Sequence, residues 1–190
     1  MRRGRPRTDA RRTGALRYIR RRSFTSGALR GYQQGRAGRG GSMSRYRLKL
    51  NKKRCIHCKA CEVHCKAKNN TPAGIKLGVH TSSEPVMVDG VPRMKAAYQC
   101  CYHCETPECV DVCPTGAMIR RESDGIVYVD QETCIGCEAC IDACPWHIPV
   151  FNAATATVLK CDFCMDRVDE GKLPACVTAC TTHALSFTRK

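Results

Sequence analysis

The side chains best placed to do chemistry in this chain are thiols. Seventeen cysteines fall into short-spaced groups. The clearest is Cys134-Ile-Gly-Cys137-Glu-Ala-Cys140-Ile-Asp-Ala-Cys144-Pro145, which spells C-x2-C-x2-C-x3-C-P. Thiolates at this spacing wrap one corner of a compact iron–sulfur cube, so Cys134, Cys137 and Cys140 can reach three irons of one cluster. Cys144 stands about one helical turn further on, and Pro145 constrains the backbone behind it. The fourth cysteine of such a run ligates a second cluster, so one run calls for a partner run.

Three further groups answer. Cys55-Ile-His-Cys58-Lys-Ala-Cys61-Glu-Val-His-Cys65 repeats the spacing without the proline. Cys101-Tyr-His-Cys104-Glu-Thr-Pro-Glu-Cys109-Val-Asp-Val-Cys113-Pro114 is C-x2-C-x4-C-x3-C-P. The last group is Cys161-Asp-Phe-Cys164, an eleven-residue spacer, then Cys176-Val-Thr-Ala-Cys180. Disulfides are the obvious rival use of so many cysteines, but they belong to secreted frameworks, and cysteines two apart more often share a metal. Zinc is the sharper rival, because Cys161, Cys164, Cys176 and Cys180 alone would make a tetrahedral S4 site. The C-x3-C step, carried by the other three groups as well, speaks against zinc throughout. With four Phe, one Trp and six Tyr, an ordinary apolar core would be thin, and clusters would act as internal staples.

The elements that must position these thiols are short. The alternating stretch Arg45–Leu50 reads as an entry strand. Residues 66–99 read as a connector with turns at Thr71-Pro72 and Ala73-Gly74, containing a hairpin that turns at Asp89-Gly90. Ile119 to Asp130 alternates about Asp124-Gly125, and the return strand Ile126–Val129 delivers the chain to Cys134. Ala184–Thr188 reads as a closing strand. Because the first cysteine group has an entry strand and the last an exit strand, they are expected to be two halves of one two-cluster unit. A second unit is then inserted between them. The expected fold class is α+β: two pseudo-symmetric ferredoxin-like dicluster units, one inserted in the other, with short strands and helices. The outer unit comprises 43–66 plus 155–190, and the inserted unit 96–150.

The formal net charge of +15 is carried mostly by one segment. Residues 1–42 hold thirteen arginines, no lysine and one acid, whereas residues 43–190 hold 19 basic and 16 acidic groups. Residues 1–42 are Arg-, Gly- and Ser-rich and read as a disordered extension, with Met43 as the working start. Arg21-Arg22-Ser23-Phe24 has the look of a twin-arginine export signal, but the following Ala28–Gln34 is not apolar, so export is not expected. No run approaches the length of a membrane span. A cytoplasmic location is the expectation. Clustered arginine suits nucleic-acid phosphate, so a zinc- or nucleic-acid-binding module is the alternative function. The near-balanced charge of residues 43–190, before the charge of any metal site is counted, argues against it.

Taken together, the four groups and the phrases Cys104-Glu-Thr-Pro-Glu-Cys109, Cys113-Pro-Thr-Gly-Ala117, Cys144-Pro-Trp-His-Ile-Pro149 and Pro174-Ala-Cys176-Val-Thr-Ala-Cys180 are similar to a known family. They resemble the four-cluster electron-transfer subunits of DMSO reductase-type molybdenum or tungsten oxidoreductases, including formate dehydrogenase small subunits. The resemblance covers residues 45–188 and implies four [4Fe-4S] clusters. It implies that Cys55, Cys58 and Cys61 with Cys180 hold one, and Cys161, Cys164 and Cys176 with Cys65 the next. Cys101, Cys104 and Cys109 with Cys144 would hold a third, and Cys134, Cys137 and Cys140 with Cys113 the fourth. Thr181 departs from the proline often found after the last cysteine.

The expected function is therefore to relay single electrons between a catalytic subunit and a redox carrier, with no catalysis by this chain alone. No fingerprint for a nucleotide or radical cofactor is present. Cys100, adjacent to Cys101, is expected to be a small buried side chain rather than a ligand. The six histidines are expected to tune clusters rather than bind them. Trp146 is expected to pack over a cluster, and Lys59, Lys66 and Arg167 are either tuning charges or solvated ones. Asp162, Asp166 and Asp169 are expected to form a polar face.

Overall fold

The computed structural model describes residues 46–189, all within one compact unit spanning Gly40–Lys190. The expectation for residues 1–42 lies outside the described residues. Every strand and helix is short, as a chain punctuated by cysteine loops requires. The strands are β1 (Tyr46–Leu50), β2 (Val79–Ser82), β3 (Val86–Val88), β4 (Val91–Arg93), β5 (Ala96–Gln99), β6 (Met118–Arg120), β7 (Val127–Val129), β8 (Val150–Asn152), β9 (Thr157–Leu159) and β10 (Leu185–Arg189). The helices are α1 (Ala60–Lys68), α2 (Glu108–Asp111), α3 (Ala139–Asp142), α4 (Met165–Asp169) and α5 (Ala175–Thr178).

The strands pair two by two, all antiparallel. β1 lies against β10 in the register Tyr46 to Arg189 through Leu50 to Leu185, so the entry and exit strands meet across nearly the whole described chain. The helices that follow and precede them, α1 and α5, pack together. In the middle of the chain β6 pairs with β7, and α2 packs on α3. Each of these sets is therefore an antiparallel strand pair with two short helices. The hairpin β3–β4 turns at Asp89-Gly90, both with positive φ, as a two-residue type I′ turn requires.

Two pairings were not anticipated. β2 pairs with β5 across the β3–β4 hairpin, so residues 79–99 form a folded arm rather than a bare connector. β8 pairs with β9 around a turn at Asn152–Ala156, where the Asn152 side-chain oxygen accepts from the Ala154 N–H at 3.1 Å.

The core lies in two patches that include the thiols. One gathers Cys61, Tyr98, Cys100, Ile126, Phe163, Cys176, Val177 and Leu185, with β1 and β10 residues against it. The other gathers Met118, Val127, Cys140 and Val158. Ile126, Val127 and Val158 are fully enclosed, each contributing roughly 1.5–3 kcal/mol by burial. Arg121 ties the two parts of the chain: it holds Asp124 beside it in the β6–β7 turn and reaches Asp169 at the end of α4 at 2.8 Å. Lys68 of α1 meets Asp166 of α4 at 2.9 Å.

Candidate metal centres

The C-x2-C loops share one backbone device. The residue just before the second cysteine has a left-handed conformation in all four groups: His57 (φ 59), His103 (φ 48), Gly136 (φ 65) and Phe163 (φ 57). That turn curls the loop so that both thiols face one centre, and it aims backbone N–H groups inward, as in an anion-binding nest. For the three residues with a Cβ the conformation costs roughly 1–2 kcal/mol each, and such strain gathers at functional sites. At Gly136 a Cβ would lie 2.2 Å from the Ala156 carbonyl oxygen, so the β8–β9 turn closes on that loop and admits no side chain. The short helices then carry the third cysteine inward. α1 and α3 start directly after left-handed Lys59 (φ 59) and Glu138 (φ 62), and α2 and α5 start after Pro107 and Pro174.

The thiols assemble in fours. Cys61 faces Cys180, Cys55 and Cys58. Cys65 faces Cys161, Cys176 and Cys164, and Cys109 faces Cys101, Cys144 and Cys104. Cys140 faces Cys113, Cys137 and Cys134. In every quartet the fourth thiol comes from a distant group in the sequence. Two quartets line small cavities with mostly apolar walls: that of Cys113, Cys134, Cys137 and Cys140, and that of Cys101, Cys104, Cys109 and Cys144. Trp146 lines the second, and its ring is 5.1 Å from that of Tyr102.

Hydrogen bonds to sulfur recur at matching places. Met118 N–H donates to Cys113 Sγ at 3.4 Å; Ala184 and Leu185 N–H donate to Cys180 Sγ at 3.1 and 3.5 Å. The Thr115 and Thr182 hydroxyls each sit 3.8 Å from the corresponding sulfur. Burial pushes Cys113 and Cys180 up, but these donors outweigh it and hold both thiols below their ordinary value. At four other thiols burial dominates: Cys61 and Cys140 are pushed up to about 11, Cys109 and Cys176 to about 12. Thiols raised in this way give up their protons when metal arrives, which couples loading to proton release.

A fourfold thiol set suits either zinc or an iron–sulfur cube. Zinc draws its ligands to about 2.3 Å from one point. Thiols spread round an apolar cavity, with N–H groups donating to sulfur, fit the cube.

The flanking residues divide. His80 places Nε2 3.4 Å from Cys55 Sγ, His57 Nδ1 meets Ser82 Oγ at 2.8 Å, and His103 Nδ1 accepts from Val127 N–H at 2.9 Å. Lys66 is spent on the carbonyls of Thr71 at 2.7 Å and Ile75 at 3.3 Å, closing the turn after α1. Arg167 holds the Leu173 carbonyl at 2.9 Å. Both are therefore held in place by backbone carbonyls, which fix their position without neutralising their charge. Asp162 accepts from Cys164 N–H at 2.8 Å, while Asp166 and Asp169 make the ion pairs above, so this is a set of specific contacts rather than a plain polar face. Cys100 is buried, donates to the Cys101 carbonyl at 3.6 Å and lies beside Cys161. The residue that the sequence did not single out is Lys160, which is buried and lines the Cys101 cavity.

Comparison with known proteins adds a family. The model of the 4Fe-4S dicluster domain matches residues 93–190. The thiosulfate reductase electron transfer subunit PhsB of Salmonella typhi is 42% identical over 148 residues, covering 77% of each protein. Protein NrfC of Escherichia coli is 41% identical over 144 residues, 75% of this chain and 65% of NrfC. The B subunit of the anaerobic dimethyl sulfoxide reductase of Escherichia coli is 41% identical over 151 residues, 76% of this chain and 73% of that subunit. The match thus leaves roughly a quarter to a third of each relative's length uncovered.

Proposed function

This protein belongs to the 4Fe-4S dicluster domain family, and from that premise we propose that it is the electron-relay subunit of a molybdenum- or tungsten-containing reductase or dehydrogenase. It passes single electrons between the catalytic subunit and a redox carrier. When bound, each [4Fe-4S] cluster takes up and gives back one electron.

The proposal assigns four clusters to sixteen thiols. Cys55, Cys58, Cys61 and Cys180 hold the first; Cys65, Cys161, Cys164 and Cys176 hold the second. Cys101, Cys104, Cys109 and Cys144 hold the third, and Cys113, Cys134, Cys137 and Cys140 the fourth. The observation that carries this assignment is the gathering of the thiols into those four quartets, each completed by a cysteine from another group. The protein's part is to keep the thiols oriented, donate N–H groups to sulfur and exclude water with the apolar walls.

The proposal also takes the fold as two dicluster units, 96–150 inserted between 43–66 and 155–190. The β1–β10 and β6–β7 pairs with their helix pairs support that division. The quartets then run in series. Cys176 faces Cys61 of the first, and Cys101 of the third faces Cys161 of the second. Thiols of the third and fourth share one core patch. At the two ends of the series Cys58 and Cys137 are exposed, so the ends are where electrons enter and leave. The names of the relatives, which speak of electron transfer and of reductase subunits, agree with a partnered role. Among the described residues no helix is long and apolar enough to cross a membrane. A cytoplasmic site of action is part of the same proposal.

Isolation of the complex from the source cell under anaerobic conditions tests the partner. Metal analysis of the co-purified assembly is expected to find molybdenum or tungsten beside iron. A stable complex containing neither would overturn the choice of partner.

A further inference from the structure

Lys160 stands apart from every other lysine and arginine among the described residues: it alone of them belongs to the buried set, 6% exposed. Taking an ammonium out of water is costly unless its donors are satisfied and its charge is met. The donors are satisfied. Nζ donates to the carbonyls of Cys161, at 2.9 Å, and of Val127, and its charge lies close to the Cys101 thiol. The charge is not met by any carboxylate of a described residue. The groups that feel it are the thiols of Cys101, Cys104, Cys109 and Cys161 and the imidazole of His103.

Its place in the fold is the joint between the two middle quartets. Lys160 lines the cavity of Cys101, Cys104, Cys109 and Cys144, and its backbone leads directly into Cys161 of the neighbouring set. The same joint is sealed by His103 from one C-x2-C loop lying against Phe163 from the other, ring centroids 3.8 Å apart, both nearly inaccessible to water. A charge in such a place is poorly screened. Each electron that enters a cluster adds one negative charge, so a neighbouring cation favours the reduced form, and a hydrogen bond to a cluster sulfur acts in the same direction.

Resting on the cluster assignment above, we propose that Lys160 is the fixed counter-charge of the middle of the relay. It raises the potential of the cluster at Cys101, Cys104, Cys109 and Cys144 most, and that of the cluster at Cys161 less. An electron passing along the series is then held preferentially in the interior, away from the exposed ends at Cys58 and Cys137.

The test is a potentiometric titration, followed by spin resonance, of the full reconstituted chain and its Lys160→Met, Lys160→Gln and Lys160→Arg variants, each with an iron assay. The neutral variants are expected to keep their iron while the reduction equilibrium of one cluster falls by about tenfold, which for a one-electron couple is about 59 mV more negative. Lys160→Arg is expected to titrate as the parent. Iron-replete neutral variants with unchanged potentials would overturn the proposal. If both neutral variants lose iron, Lys160→Arg decides: full iron at parental potentials sustains a role for the charge, whereas iron loss there too makes Lys160 a packing residue and overturns it. A parent protein with no reducible cubane signal would count against the cluster assignment itself, separately from Lys160.

Discussion

Cys65 and Cys100 are both buried thiols beside Cys161, yet they differ in what surrounds them. Cys65 completes a quartet, and burial and the neighbouring thiols push it up. Cys100 donates to a backbone carbonyl and packs with Tyr98 and Ile126. Cys65→Ser and Cys161→Ser are accordingly expected to remove the same cluster signal in spin resonance, while Cys100→Ala keeps every signal and costs roughly 0.5–2 kcal/mol in denaturant unfolding. A further expectation concerns Glu62, next to Cys61. Burial pushes its carboxyl up, but the Lys76 ammonium and the His80 N–H outweigh this and hold it below its ordinary value of 4.5. A carboxyl with a lowered folded pKa stabilises the fold above its unfolded value, and that contribution is lost as pH falls through the folded one. The stability advantage of the parent over Glu62→Gln is therefore expected to be constant from neutrality down to about pH 4.5 and to vanish below it, as read by denaturant midpoints across that range.

At the scale of elements, the C-x2-C loop and the strand pair behind it act as one part. Gly136→Ala places a Cβ against the Ala156 carbonyl at a positive φ, and it is expected to strip iron from the quartet of Cys113, Cys134, Cys137 and Cys140 while leaving the other three loaded. Selective loss of one spin-resonance signal with about a quarter of the iron is the readout. Ile126→Ala, at a fully enclosed position, is expected to cost about 2–5 kcal/mol in the same unfolding assay.

How far these elements were legible in the sequence follows from where their signals lie. Asp89-Gly90 and Asp124-Gly125 announce their hairpins because glycine after aspartate suits the turn. β8–β9 has no such mark: its turn runs through Asn152–Ala156, with Ala156 itself at φ 53. β2 and β5 find each other only because the intervening hairpin folds back, a long-range pairing that local alternation does not encode. The thiol spacing marked the sixteen cysteines that are proposed as ligands. Lys160 escaped notice because a lysine before a cysteine reads as a surface charge, and only the packing of β7 and Trp146 around it makes it an interior one.

On the scale of the whole molecule, both core patches among the described residues include cysteine side chains beside the apolar ones. Loading is therefore expected to stabilise the fold: chelation or oxidative loss of iron should lower the thermal midpoint and broaden the transition, since whatever binds the folded form alone stabilises it. Iron-free protein that melts at the same temperature as the loaded form would contradict this. The most direct measurement is anaerobic reconstitution with iron and sulfide, followed by metal and sulfide assay and a spin-resonance redox titration of the same sample. The account predicts about sixteen irons per protein molecule, little zinc, and four cubane clusters each taking up one electron. Zinc in place of iron, or iron for no more than two clusters with no further reducible signal, would contradict it.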